Sequence, residues 1–168
     1  MSISMYEASI PVFTHVLANL AAILEKGQAH ARVGGIDPAE LVNARLAPDM
    51  FPLSRQVQIA TDVVKGFAAR MTGAEPPSWP DTEATFDELI ARVGKAVDYL
   101  GSVEPSRLEG AADRTISFNI RGEPVTFQGL AYLQKFVLPN LFFHTTVTYA
   151  ILRHNGVELG KRDFLGAI

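Results

Sequence analysis

The segment Thr126–His154 places apolar residues at intervals of three and four, the spacing that gives a long helix one buried face. Its predicted inward face is Leu130, Leu133, Val137, Asn140, His144, Val147 and Ile151. Asn140 and His144 therefore put two hydrogen-bonding side chains where hydrocarbon is expected. A helix with such a face needs other helices to cover it, and the pattern favours a helical bundle with a polar point in its core.

Pro139 lies inside this helical pattern, directly before Asn140. Proline has no N–H to give the carbonyl of Lys135 and its ring crowds the preceding turn, so we expect a kink at this point. Two interpretations of the polar pair follow. Asn140 or His144 satisfies a freed backbone carbonyl, which is the commoner arrangement in cores, or the two side chains form a pocket that binds a small molecule.

Three earlier segments have the same helical spacing, over residues 4–31, 49–71 and about 82–101. The first starts with the capping-box pattern Ser4-Met5-Tyr6-Glu7, and the third is expected to be capped by Asp81 or Thr82. The predicted core lines are Tyr6, Ile10, Phe13, Leu17, Leu20 and Leu24; Leu53, Val57, Ala60, Val64, Phe67 and Met71; and Phe86, Leu89, Val93, Ala96, Val97 and Leu100.

Two shorter elements connect these helices. Asp37 and Pro38 predict a short helix that reaches about Arg45. Alternating apolar and polar residues over Thr115–Phe127, with a turn at residues 121–124, predict a small β-hairpin. The sequence thus predicts an all-α fold, a single four-helix-bundle domain over residues 1–168 with a short connector helix and a hairpin before the last helix.

Composition excludes several classes of function. The net charge of −3 and the lack of a basic cluster argue against a nucleic-acid surface. The chain has no cysteine, so disulfides and thiolate chemistry are excluded. No apolar run reaches the ~20 residues of a membrane span, and no basic leader precedes one. We expect a cytoplasmic protein without a membrane or nucleic-acid partner.

Polar residues on the second long helix are divided between two expected environments. Gln56 lies at the edge of the core line. Arg55, Gln58, Asp62 and Lys65 lie off that line, and we expect them to form a solvated face rather than a site.

The chain resembles the DinB/YfiT-like superfamily, and within it an uncharacterised bacterial branch that is classed as a domain of unknown function. The most specific features are Ala47-Pro-Asp-Met-Phe-Pro-Leu53, Gln56-Val-Gln-Ile-Ala60 and Leu152-Arg-His-Asn-Gly-Val157. The resemblance implies a bundle that commonly dimerises. An apolar surplus on the last helix, at Phe142, Tyr149 and Leu152, also favours a homodimer.

In many superfamily members three histidines hold a divalent metal, and some of those members transfer groups to low-molecular-weight thiols. By resemblance, the three positions fall on Ala60, Asn140 and His144 in this chain, so one ligand of three remains. One imidazole with two amides is a poor site for zinc or nickel. We therefore expect no metal and no cofactor.

Two functions from different classes stay open. The first is a metal-free relative whose central pocket, lined by Gln56, Phe136, Asn140, Phe143 and His144, binds a small molecule or only supports a dimer. The second is a thiol S-transferase-like enzyme with a metal site rebuilt around His144. No nucleophile turn or paired carboxylates point to other catalytic residues, which stay unknown.

Overall fold

The computed structural model describes residues 3–167, and it confirms the all-α four-helix bundle with a connector helix and a hairpin before the last long helix. The helices are α1 Ile10–Gly34, α2 Pro38–Val42, α3 Leu53–Thr72, α4 Phe86–Gly101, α5 Gly129–Tyr132, α6 Leu138–His154 and α7 Lys161–Leu165. The antiparallel strands are β1 Thr115–Ile120 and β2 Glu123–Gln128, with Thr115 opposite Gln128. Helix α1 packs on α4, and α3 packs on both α4 and α6.

The predicted core lines of the first three long helices are largely confirmed. Every residue predicted on the α3 line is at most 1% exposed, and the α1 line is buried from Ile10 onward. On the α4 line only Val97 is partly exposed. Repeated spacing over five or six turns identifies a buried face well because each apolar residue adds evidence for the same side of the helix.

Helices α1, α3 and α4 begin later than predicted, the first two because of prolines. Ser4 and Glu7 make the capping-box hydrogen bonds, but these close a turn, and α1 begins only at Ile10, next to Pro11. Helix α3 begins at Leu53, directly after Pro52. Proline is accepted in the first turn of a helix but not further inside it, so each proline sets the start. The predicted connector helix is also shorter, ending at residue 42.

Helix α4 is capped by Thr85, not by Asp81 or Thr82 as predicted. Thr85 Oγ1 accepts from the backbone N–H of Glu88, at 3.2 Å, and the Glu88 carboxylate accepts from the N–H of Thr85, at 3.0 Å. This reciprocal pair satisfies two of the free donors at the helix start. Residues 74–85 therefore form one long connection between α3 and α4.

The last long helix is interrupted by a π-helical turn, Leu133–Val137, which joins α5 to α6 and allows Pro139 to lie in the first turn of α6. A π turn adds a residue to the helical period, and so it changes which side chains face the core. Leu130 is 44% exposed, contrary to the predicted core line. Leu141, which is fully buried, takes the core position predicted for Asn140.

The hairpin covers the start of this helix. Phe118 and Phe127 lie 5.4 Å and 5.9 Å from the ring of Phe136, and both also contact the ring of Tyr132. The backbone N–H of Gly129, at the junction of strand and helix, donates to the carbonyl of Arg114 at 2.9 Å. None of the helices within residues 3–167 is both long and apolar enough to cross a membrane.

Candidate functional site

A buried polar contact in the bundle core joins His144 on α6 to Gln56 on α3. His144 Nδ1 lies 2.7 Å from Gln56 Oε1. Gln56 is 1% exposed and His144 is 9% exposed. Facing helices thus bring two of the predicted site residues together, 88 positions apart in the chain.

The hydrogen bonds determine which nitrogen of His144 carries the proton. Gln56 Nε2 donates to the carbonyl of Phe51, at 3.0 Å, and a carbonyl can only accept. Gln56 Oε1 is therefore the acceptor for an N–H at His144 Nδ1. The neutral ring then has its lone pair at Nε2.

His144 Nε2 has no hydrogen-bond partner among the residues that the structure describes. No fully buried side-chain N or O atom of the partly or fully buried residues among 3–167 lacks a partner. Nε2 therefore has access to solvent. Burial, and secondarily the charge of Arg55, lower the pKa of His144 from 6.5 to about 4. The site offers a neutral imidazole acceptor at pH 7.

We expect His144 to be neutral and protonated at Nδ1 down to about pH 4. The unfolded chain protonates this residue near pH 6.5, so it binds more protons than the folded chain between pH 6.5 and 4. The stabilisation that comes from keeping the ring neutral is complete above pH 6.5 and is lost as the pH falls toward 4. The free energy of unfolding should decrease by on the order of 2 kcal/mol over this range, after allowance for partial hydration. Two-bond ¹H–¹⁵N spectra of the imidazole and denaturant melts between pH 4 and 7 measure both effects.

The test variant is His144→Leu. Its control is His154→Gln, which removes an exposed histidine at the end of α6. The melting profile of His144→Leu should depend less on pH in this window than that of His154→Gln. Protonation of Nε2 at pH 6 would contradict the assignment.

The other predicted site residues lie around this pair with different partners. Asn140 is half-buried, and its Nδ2 donates to the carbonyl of Phe136 at 2.6 Å, within its own helix. Phe136 packs against the hairpin. The ring of Phe143 lies edge-to-face on His144 at 5.2 Å and is 54% exposed. Participation of Asn140, Phe136 and Phe143 in ligand binding stays a prediction.

The side chains at the superfamily's metal positions do not fit a metal. Ala60 offers only a methyl group, and Asn140 offers only a neutral amide oxygen, which zinc and nickel disfavour as a ligand. His144 can offer Nε2 alone. Residues 3–167 contain no group of three or more His, Asp or Glu side chains arranged to hold a metal ion.

The expected solvated face on α3 is wrong for Gln58 and Lys65, whereas the side chains of Arg55 and Asp62 are 38% and 34% exposed. Gln58 and Lys65 are 5% and 6% exposed, and Arg92 of α4 is 3% exposed. Lys65 Nζ pairs with Asp62 at 2.6 Å, and Gln58 Nε2 donates to Glu83 at 3.0 Å. A buried polar cluster therefore joins α3, α4 and the 74–85 connection.

Arg92 is the centre of that cluster. Its guanidinium pairs with Asp62 at 2.9 Å, Asp81 at 2.9 Å and Glu83 at 3.0 Å. It also donates to Thr61 Oγ1 at 2.8 Å and to the carbonyl of Pro80 at 3.1 Å. The sequence contained one signal for this residue, a charged side chain at the helical spacing that follows Leu89 on the core line.

The apolar residues that were expected outside the core of α6 lie in three different environments. Leu152, expected on the outer surface of α6, is fully buried, and Tyr149 packs against Phe164 of α7 at 6.2 Å. Phe142 remains exposed, at 40%. Homodimer formation stays a prediction that these contacts do not test.

A model of the family "Domain of unknown function (DUF1993)" matches residues 5–165. The chain belongs to the DUF1993 family. It is also similar to a DinB family member protein from Shewanella denitrificans, whose crystal structure superposes with a TM-score of 0.91. The two chains are 40% identical over 98% of this chain and 93% of the other.

These matches confirm the resemblance to an uncharacterised DinB-like domain. No curated protein matches the chain.

Proposed function

We propose that this DUF1993 protein is a metal-free binding protein that holds a small uncharged molecule at His144. The observation that carries the proposal is the 2.7 Å contact of Nδ1 with Gln56 Oε1, which leaves the Nε2 lone pair without a protein donor. The ligand would donate an O–H or N–H to Nε2. Gln56, held by the Phe51 carbonyl at 3.0 Å, keeps the ring in the accepting tautomer.

The charge of the ligand follows from the surroundings of the ring. An anion would meet the lone pair at Nε2 and find no donor there. A cation would face the same burial and the same Arg55 charge that lower the pKa of His144 to about 4. An uncharged donor avoids both costs.

Aromatic surface beside the acceptor favours a ligand with an apolar part. Phe143 packs on the imidazole at 5.2 Å and leaves half of its side chain exposed. A ring or alkyl group next to the ligand's donor could bury that surface, a stabilisation of about 25 cal/mol for each Å² removed from water.

Phenol and anisole test the proposed hydrogen bond, because they have similar shapes but only phenol has an O–H donor. We expect phenol to shift the His144 Nε2 resonance with saturation and to bind about threefold to tenfold more tightly than anisole, the range of one net hydrogen bond. The His144→Leu variant should lose this preference, and His154→Gln should keep it. Equal binding of the two probes, or no binding, would overturn the proposal.

Elemental analysis tests the metal-free part. Protein made without a histidine tag, added metal or chelator should contain far less than one mole of transition metal per mole of chain. Near-stoichiometric zinc, nickel or manganese that disappears in His144→Ala would instead support the S-transferase-like enzyme, which no observed set of donors favours.

A further inference from the structure

A groove separate from His144 lies between the 74–85 connection and α4. Its walls include Trp79, Pro80, Thr82, Ala91 and Lys95, and its volume is about 300 Å³. Such a volume lies at the lower end of the range for small-molecule pockets. The wall is part apolar and part polar.

The acidic side chains of this groove already have partners. Glu83 accepts from Arg92 at 3.0 Å and from Gln58 at 3.0 Å. Glu88 Oε2 accepts from two backbone N–H groups, at 2.8 Å and 3.0 Å, and these bonds lower its pKa. Both oxygens of Glu83 therefore have partners, and within residues 3–167 Glu88 keeps only Oε1 free of a hydrogen bond.

Three donors on the groove residues have no acceptor within the described part of the chain. The Lys95 ammonium makes no ion pair with residues 3–167 and lies over the Trp79 ring, 4.6 Å from its centroid. Neither Thr82 Oγ1 nor Trp79 Nε1 makes a hydrogen bond to residues 3–167. Lys95 and Thr82 are exposed residues. Trp79 is only half-buried, and no fully buried side-chain N or O atom of the partly or fully buried residues among 3–167 lacks a partner, so its Nε1 is accessible as well.

We propose that this groove binds a small carboxylate that carries an apolar group. The carboxylate would pair with Lys95 and accept from Thr82 or Trp79, while the apolar group packs on Pro80 and Ala91. One free ammonium matches one negative charge. The neighbouring Glu83 and Glu88 carboxylates disfavour a second charge, which argues against a phosphate dianion.

Trp79 is the only tryptophan in the chain, so its fluorescence reports on this groove directly. We would titrate the protein with cyclohexanecarboxylate at constant ionic strength and follow both the emission and the indole N–H cross-peak of Trp79. Inorganic phosphate and cyclohexylammonium are the comparison probes. We expect a saturable response to the carboxylate alone.

Lys95→Met should weaken binding about threefold to fivefold, the range for an exposed ion pair, and Lys95→Arg should largely restore it. Lys161→Met, which removes an exposed lysine of α7, should leave the affinity unchanged. His144→Leu should also leave it unchanged, so this test stands apart from the one proposed for His144.

Three results would overturn the proposal. The first is no response of either signal to the carboxylate. The second is an equal response to one of the comparison probes. An equal response to phosphate would show that the apolar wall has no role, and an equal response to cyclohexylammonium would show that the charge has none. The third is wild-type affinity in Lys95→Met.

Discussion

Replacing Arg92 with methionine is expected to lower the free energy of unfolding by about 3 kcal/mol. The Arg92 side chain is 2% exposed and pairs with three carboxylates. Its loss leaves Glu83 without a cationic partner, and it leaves Asp62 with Lys65 alone and Asp81 with Arg55 alone. Removal of one partner from a buried ion pair costs about 3–5 kcal/mol. The lower end applies because two of these carboxylates are 34% exposed and can be hydrated.

Arg55→Met is the matched control for Arg92→Met, because Arg55 pairs with the other oxygen of the same Asp81 carboxylate. Its side chain is 38% exposed, so we expect a loss of at most about 1 kcal/mol. Urea melts at pH 7 give both values. Equal losses in the two variants would show that burial of Arg92 adds nothing to the pairing.

The Arg92 variant also tests whether the two proposed sites depend on the same connection. Arg92 donates to the carbonyl of Pro80, a wall residue of the Trp79 groove, at 3.1 Å. The His144–Gln56 contact has no member in residues 74–85. We therefore expect Arg92→Met to alter the Trp79 indole signals while the imidazole signals of His144 stay near their wild-type positions.

The buried faces of the long helices could be predicted from the sequence because they repeat. Phe13, Leu17 and Leu24 on α1 support the same side of one helix, so an error at one position does not change the interpretation. The buried cluster around Arg92 has no such repetition. Its acidic partners Asp81 and Glu83 come from a non-helical connection, and nothing in their spacing indicates that they reach α4.

The candidate site was predicted in part for a related reason. The sequence predicts one pocket lined by Gln56, Asn140 and His144, but only Gln56 and His144 are in contact, while Asn140 donates to the Phe136 carbonyl. His144 keeps its predicted inward position on α6, whereas Asn140, which follows the π turn at residues 133–137, is only half-buried. A proline in a helical pattern signals a disturbance but does not say whether the chain kinks or adopts a π turn.

Gly129→Ala is expected to destabilise the protein by about 3 kcal/mol or more. A Cβ at this position would lie 1.9 Å from the carbonyl oxygen of Ala111 and 2.8 Å from Met71 Cε. Overpacking usually costs about 1–3 kcal/mol, and a backbone oxygen can yield less than a side chain can. The N–H of Gly129 also holds the carbonyl of Arg114, so a shift that relieves the clash strains this 2.9 Å bond.

Gly94→Ala in α4 is the matched control for Gly129→Ala, because nothing lies within 4 Å of a Cβ at Gly94. Alanine is the better helix former there by about 1 kcal/mol, so this variant should be more stable than the wild type. Chemical denaturation followed by circular dichroism measures both. If Gly129→Ala were as stable as the wild type, the close approach of the strand–helix junction to residue 111 would be wrong, and with it the placement of the hairpin over the helix that carries His144.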